Sequence, residues 1–170
     1  IEKICKNLKT IRNVIILAEK KNIPSSNITN IISYEDFISE ESGVYNWPRL
    51  DENTASSLCY TSGTTGNPKG VLYSHRSTII HSYAAVMPDT LNISARDVVM
   101  PVVPMFHANA WGLPYAAALT GSKLVFPGSS MDGKSIYDLF EKEKVTLSAG
   151  VPTIWMGLLS YVQENSLTFS

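Results

Sequence analysis

The sequence predicts an α/β fold in which helices flank a mostly parallel β-sheet. The chain has 170 residues, of which 44% are hydrophobic and 17% charged, enough to bury the core of one domain. From Ala55 onward, short runs rich in β-branched residues alternate with longer segments of helical periodicity, which is the pattern of βαβ units. Residues 98–122 contain no Asp, Glu, Lys or Arg, as expected for elements buried inside an α/β domain.

The first fifty residues carry weaker signals. Residues Ile4–Thr10 could form the end of a helix. The run of β-branched residues within Arg12–Ala18 predicts a buried strand. The polar stretch Lys20–Asn30 predicts a loop. Ser33 fits the N-cap of a helix over Tyr34–Glu41, because its hydroxyl can accept a hydrogen bond from a free backbone N–H.

The remaining elements follow from alternating apolar runs and helix signals. We expect strands over residues 55–60, 71–73, 97–103, 123–126 and 145–149. We expect a helix that is capped by Ser74 or Ser77 and runs through His81 to about Met87. We also expect helices over residues 107–120 and 132–144, and a further helix from Pro152. Within the helix expected over 107–120, His107 and Trp111 are four residues apart and would project from the same face.

Charge and cysteine content narrow the class of protein. Fourteen Lys and Arg against fifteen Asp and Glu give a formal net charge of −1, which argues against a nucleic-acid partner. Cys5 and Cys59 are too few for a disulfide framework, so a reducing compartment is expected. Pro101, Pro104 and Pro114 interrupt the charge-free stretch, so no transmembrane segment is expected. We therefore expect a cytoplasmic protein, with association at the periphery of a membrane left open.

The most informative segment covers residues 60–70, which read Tyr-Thr-Ser-Gly-Thr-Thr-Gly-Asn-Pro-Lys-Gly. Glycines leave backbone N–H groups open to an anion, the hydroxyls add neutral donors, and Lys69 adds a positive charge. This composition predicts a polyphosphate site. It is not a Walker A loop, because Pro68 precedes the lysine and Gly70 follows it.

The segment resembles the signature of the AMP-forming adenylating enzymes, which include acyl-CoA synthetases, nonribosomal peptide adenylation domains and beetle luciferases. The match is complete from Tyr60 through Val71. The resemblance implies a phosphate loop over residues 60–71 that closes over the β- and γ-phosphates of ATP. It implies that the nucleotide is bound by Thr61, Ser62, Gly63, Thr64, Thr65, Gly66 and Lys69. Thr65 would also be a ligand of Mg²⁺.

Two further blocks resemble motifs of the same family. Residues 101–111 resemble the motif in which a histidine or aromatic side chain sits beside the carboxylate being activated, a catalytic and substrate-binding place held here by His107. Residues 149–155 resemble the segment that helps to wall the acyl pocket. The resemblance implies that the acyl chain contacts Trp111, Gly150, Val151, Pro152 and Trp155. The combination of His107, Asn109 and Trp111 looks most like medium- and long-chain fatty acyl-CoA synthetases, in some of which this tryptophan gates the acyl tunnel.

The function implied by the resemblance is ligation of a fatty acid to coenzyme A. The acid reacts with ATP to give an acyl-adenylate and pyrophosphate, and the thiol of coenzyme A then displaces AMP. The family's motifs for adenine and ribose and its C-terminal lysine do not occur in these 170 residues. We therefore expect residues 1–170 to be part of the large N-terminal domain of an acyl-CoA synthetase, without the C-terminal domain and inactive in isolation. The alternatives are an aryl- or short-chain acid–CoA ligase and a catalytically inactive ATP-binding fragment.

Simpler structural roles remain open for several of these residues. Without its motif, His107 would be read as a satisfied, half-buried histidine. Trp47 and Trp155 are more often core residues than ligand contacts, and Trp111 is evenly balanced between the two roles. His75, His81 and His107 have no Cys, Asp or Glu nearby at the spacing of a metal site.

Overall fold

A computed structural model describes residues 1–62 and 66–170 and divides the chain into two compact units, Ile1–Arg49 and Leu50–Ser170. The first unit holds the helices α1 (Glu2–Cys5) and α2 (Tyr34–Ile38), a short 3₁₀ turn (Lys20–Asn22), and the parallel strands β1 (Val14–Ile16) and β2 (Ile31–Ser33). The backbone N–H of Asp36 donates to Ser33 Oγ at 3.0 Å, which confirms the predicted N-cap. Strand β2 was not predicted, because three residues between a loop and a helix cap carry too little pattern.

The described residues of the second unit form five strands and four α-helices, and a separate turn at Ala108–Trp111. The strands are β3 (Ala55–Thr61), β4 (Lys69–Ser74), β5 (Val98–Pro101), β6 (Lys123–Leu124) and β7 (Leu147–Ala149). The helices are α3 (His75–Val86), α4 (Leu113–Thr120), α5 (Gly133–Glu143) and α6 (Pro152–Glu164). The alternation of strands and helices was predicted from Ala55 onward, and these positions confirm it from β5 onward.

The core of this unit is a three-stranded parallel sheet in the order β6-β5-β7. Successive residues of a strand point to opposite faces, and both faces of β5 are covered. Val99 packs with Leu113 and residues of α3 on one face, whereas Met100 packs with Ile136 and Leu158 on the other. Val99 and Met100 are fully buried. Helices α3 and α4 therefore cover one face, and α5 and α6 cover the other.

Strands β3 and β4 depart from the expected alternation because they form an antiparallel hairpin. Only residues 62–68 separate the two strands, and a parallel connection needs a crossover of a dozen or more residues. In this hairpin Thr61 lies opposite Lys69, and Tyr60 lies opposite Gly70. The described ends of the phosphate segment predicted from the sequence therefore lie on the two paired strands of a hairpin.

Two helices in this unit begin with side-chain caps, of which the cap at Ser74 was predicted and the cap at Asp132 was not. Ser74 and Ser77 form a reciprocal capping box at the start of α3. Asp132 accepts a hydrogen bond from the backbone N–H of Ser135 at the start of α5. Within residues 1–62 and 66–170, no helix is both long and apolar enough to cross a membrane.

Candidate functional site

Two of the predicted site segments leave the same edge of the central sheet. β5 ends at Pro101 and β7 ends at Ala149, and these two residues are paired in the parallel register. The chain continues from β5 toward His107, and from β7 into Gly150. Ligands of open α/β sheets bind beyond the carboxyl ends of the strands, so this edge is the expected place for a site.

The segment after His107 is a left-handed turn, which corrects the prediction of a continuous helix over 107–120. Ala108, Asn109, Ala110 and Trp111 have φ values of 46°, 51°, 50° and 56°. The right-handed helix α4 begins only at Leu113. His107 itself is extended, with φ −113° and ψ 113°. The inference that His107 and Trp111 share a helix face is therefore wrong.

Left-handed backbone costs roughly 1–2 kcal/mol for each residue that carries a β-carbon, so the turn must be held by its surroundings. One support is Gly112, which continues the turn with φ 73°. A β-carbon at Gly112 would lie 2.5 Å from the His81 ring, so only glycine fits there. His81 Nε2 lies 3.1 Å from the carbonyl oxygen of Trp111. Helix α3 thus braces the end of the turn.

A second support comes from strand β3. The amide of Asn109 is buried, and its Oδ1 accepts a hydrogen bond from the Cys59 thiol at 3.2 Å. Its Nδ2 donates to Ser57 Oγ at 2.9 Å. Both ends of the amide are therefore satisfied by side chains of β3, which runs directly into the phosphate segment.

One cavity brings together three residues that the sequence assigned to the acyl pocket. Trp111, Gly150 and Trp155 line a space of about 310 Å³ beside β7. The Trp155 indole N–H donates to the carbonyl oxygen of Gly150 at 3.1 Å. A β-carbon at Gly150 would lie 2.8 Å from the indole ring, so the tryptophan packs directly on the glycine backbone. Trp155 also packs against the core cluster around Met100, which limits its movement.

A second cavity lies on the α3 side of Trp111. It measures about 490 Å³, and its lining includes Tyr73, His81, Asn109, Trp111 and Tyr115. Trp111 is half exposed and is the residue that lines both cavities. A movement of its side chain would therefore change the shape of both spaces together.

The remaining predicted residues that the structure describes lie on the surface of the second unit. Thr61, Ser62, Gly66 and Lys69 are exposed at the tip of the β3–β4 hairpin, and Gly66 has φ 145°, a conformation that favours glycine. Gly63, Thr64 and Thr65 lie outside the described residues, as does the predicted Mg²⁺ contact at Thr65. His107 is exposed at the start of the left-handed turn, and Val151 and Pro152 are exposed at the start of α6. In the part of the chain that the structure describes, no three His, Cys, Asp or Glu side chains gather as a metal site.

Two residues of the site were missed by sequence reasoning. His81 had been considered only as a metal ligand, and Asn109 only as part of a family pattern. The hydrogen bonds of His81 and Asn109 join residues 30 to 52 positions apart in the sequence, a separation that periodicity does not reach. The available local signal was Asn109 itself, because asparagine tolerates left-handed backbone better than other residues with a β-carbon.

Comparison with known proteins assigns this arrangement to one family. AMP-binding enzymes match the chain over residues 2–169. A medium-chain-fatty-acid–CoA ligase of Ectopseudomonas oleovorans is 54% identical over 154 residues, which make up 91% of this chain and 28% of that protein. A 3-methylmercaptopropionyl-CoA ligase of Ruegeria pomeroyi is 48% identical over 168 residues, or 99% of this chain and 31% of that protein. The chain spans less than a third of the length of either relative.

The fold agrees with solved structures of the same kind. The inhibitor-bound N-terminal domain of FACL13 from Mycobacterium tuberculosis superposes with a TM-score of 0.65 at 24% identity, covering 81% of this chain and 33% of that one. At this identity the similarity establishes the fold alone. It confirms the prediction of an α/β fold of the type found in the N-terminal domains of acyl-CoA synthetases.

Proposed function

The chain belongs to the family of AMP-binding enzymes, and from this membership we propose that the whole protein is a fatty acid–CoA ligase. The observation that carries the proposal is the cavity beside β7 that is lined by Trp111, Gly150 and Trp155. Gly150 directly follows the carboxyl end of β7, which pairs with the end of β5. The cavity is walled mainly by apolar residues, as a site for an aliphatic chain requires. The phosphate hairpin belongs to the same unit and is tied to the Trp111 turn through Asn109.

The reaction proceeds in two displacements. A carboxylate oxygen of the acid attacks the α-phosphorus of ATP, and the bond to the pyrophosphate oxygen breaks, giving acyl-adenylate and pyrophosphate. The thiol of coenzyme A, after losing its proton, then attacks the acyl carbonyl carbon, and the bond to the AMP oxygen breaks. The first step joins two anions, so it depends on positioning and charge neutralisation more than on a general base.

The hairpin tip is assigned to the leaving pyrophosphate. The hydroxyls of Thr61, Ser62, Thr64 and Thr65 and the ammonium of Lys69 donate to phosphate oxygens, and the backbone at Gly63 and Gly66 permits their close approach. Neutral hydroxyls and phosphate oxygens suit Mg²⁺, a hard cation that is bound largely through substrate phosphates. Thr65 is the predicted protein ligand, and the ion would supply charge neutralisation in the first step.

The acid is assigned to the region between the turn and β7. His107 sits beside the carboxylate, where it can donate a hydrogen bond to the reacting group. The alkyl chain lies along Trp111 and Trp155 and along the segment Gly150, Val151 and Pro152 that leads from β7 into α6. Each methylene buried there contributes about 0.8 kcal/mol, which gives the enzyme its dependence on chain length.

Cys5 and Cys59 are free thiols, and free thiols are typical of proteins in the reducing cytoplasm, so we propose a cytoplasmic location. The described residues offer no feature that supports a location at the periphery of a membrane, and we do not propose one.

A shorter, substituted acid is the second candidate substrate. The observation that favours it is the 48% identity to a 3-methylmercaptopropionyl-CoA ligase over nearly the entire chain. The 310 Å³ cavity has the volume of a small ligand site. A longer aliphatic acid requires that Trp111 move so that both cavities connect.

Acid-dependent exchange of labelled pyrophosphate into ATP tests the proposal in the whole enzyme. Straight-chain acids of increasing length, 3-methylmercaptopropionate and benzoate are compared as substrates. The proposal predicts exchange with medium-chain fatty acids. Preference for the thioether acid would favour the second candidate, and exchange with none of the acids would reject ligation.

A further inference from the structure

The side chain of Asn109 has no role in the proposed reaction, yet it is buried and bonded at both ends. It is 9% exposed, and its two partners, Ser57 and Cys59, are two residues apart on β3. Residues at that spacing project from the same face of a strand, so β3 presents a matched donor and acceptor to one amide. This contact joins the turn that carries Trp111 to the strand that leads into Thr61.

The turn needs such an anchor. Four consecutive residues with β-carbons adopt left-handed backbone from Ala108 to Trp111, a conformation that is unfavourable without outside support. Asn109 is the residue type in this turn that best tolerates the conformation. Trp111 follows Asn109 by two residues. By holding the turn in position, Asn109 therefore also determines where the Trp111 indole lies between the two cavities.

We propose that Asn109 is a positioning residue for the acyl substrate: by holding the turn against Ser57 and Cys59, it fixes Trp111 and thereby sets which acids the enzyme accepts. The effect on acid selection rests on the proposed function. The anchoring of the turn does not, because it is a property of the folded protein without substrates.

Asn109→Gly in the whole enzyme is the sharpest variant. Glycine accepts the positive φ but lacks the amide, so this change separates anchoring from backbone conformation. We expect kcat/KM for the preferred acid to fall about tenfold, mainly through a higher KM for the acid, while KM for ATP changes less than about twofold. Ser57→Ala should give a smaller change in the same direction, because the bond from Cys59 remains.

Ser56→Ala is the matched control on the same strand. Its hydroxyl bonds to the Tyr73 carbonyl oxygen and to Thr78, each at 3.1 Å, and not to the turn. It should lower the melting temperature without altering KM for the acid. If Asn109→Gly instead lowers kcat for all acids equally, with a lower melting temperature and an unchanged KM for the acid, Asn109 is merely structural and the proposal is wrong.

A second readout does not depend on activity. Cys59 is 5% exposed and bonded to Asn109, so its alkylation by iodoacetamide without substrates should be faster in Asn109→Gly than in the wild type or Ser56→Ala. Peptide mass spectrometry measures this at Cys59 alone. Unchanged alkylation would overturn the anchoring. A wild-type enzyme that forms no acyl-adenylate would overturn the proposed function instead, and the two failures are therefore distinguishable.

Discussion

His81 Nε2 lies 3.1 Å from the carbonyl oxygen of Trp111, and the imidazole ring covers Gly112 so closely that no side chain fits there. A carbonyl oxygen can only accept, so Nε2 carries the hydrogen of this bond. Helix α3 and the turn that carries Trp111 are thereby joined through one side chain. The contact explains how the end of the turn is held in position although its backbone conformation is unfavourable.

Removal of this contact should loosen the turn. We expect His81→Ala to raise KM for the acid about fivefold, the effect of one lost hydrogen bond of about 1 kcal/mol. His81→Gln is the matched control, because its Nε2 can donate to the same carbonyl oxygen. Steady-state kinetics with acid and ATP varied in turn provide the test. Equal losses in both variants would show that ring packing, and not the hydrogen bond, is what matters.

Lys69 should act in the ATP-dependent step. Lys69→Ala is expected to cost about 1–3 kcal/mol in acyl-adenylate formation, the scale of one charge-assisted contact to phosphate. Lys134→Ala is the control, because Lys134 is exposed and pairs with Asp138 on helix α5. Single-turnover rates with ATP and acid are compared with thioester formation from supplied acyl-adenylate. An equal loss in both reactions would contradict the phosphate role.

Trp111 should govern the dependence on chain length. Trp111→Ala removes the side chain that lines both cavities. The preference among saturated acids should therefore change while KM for ATP stays nearly constant. Trp47→Ala, at a position that is 85% exposed, should leave the profile unchanged. The measurements are kcat/KM over a series of acids and the melting temperature. An unchanged profile with an unfolding free energy lower by about 3–5 kcal/mol would assign Trp111 to the core.

Gly150 is required because Trp155 occupies the space that a side chain would need. Gly150→Ala places a methyl group 2.8 Å from the indole and should cost about 1–3 kcal/mol of unfolding free energy. Gly157→Ala is the opposite control: apart from the neighbouring backbone of α6 itself, no atom lies within 4 Å of the added β-carbon. It should therefore stabilise α6 by about 0.5–1 kcal/mol. Chemical denaturation measures both variants, and stabilisation by Gly150→Ala would contradict the packing described.

Asp97 should contribute to stability in a pH-dependent way. Its pKa is lowered chiefly by the hydrogen bond from the Ser94 backbone N–H, and further by the hydroxyls of Ser94 and Thr146. A carboxyl whose pKa is lower in the folded state contributes stability above its unfolded pKa, near 4, and loses it as the pH falls through the folded value. Asp97→Asn should therefore flatten the acid side of the stability curve. Asp89→Asn, in an exposed turn, controls for the lost charge.

The helix caps are within reach of sequence-based prediction because their signals are local. Ser33, Ser74 and Asp132 each bond to a backbone N–H three residues ahead, within reach of sequence reasoning. The turn at Ala108–Trp111 could not be predicted. Its small apolar residues favour a helix, and the contacts that hold it come from α3 and β3, far away in sequence.

The antiparallel pairing of β3 and β4 could have been predicted from the length of the connection between them, because residues 62–68 are too few for a parallel crossover. The joint cavity of Trp111, Gly150 and Trp155 was harder to foresee. It depends on β5 and β7 being neighbours in the sheet, which the strand order along the chain does not reveal.

Detection of the acyl-adenylate itself tests the central claim most directly. The whole enzyme is incubated with ATP, Mg²⁺ and a medium-chain fatty acid in the absence of coenzyme A, and the products are identified by mass spectrometry. The proposed function predicts enzyme-bound acyl-adenylate together with pyrophosphate, and its conversion to acyl-CoA and AMP when coenzyme A is added. Formation of ADP and phosphate, or of no adenylate with any acid tested, would contradict it.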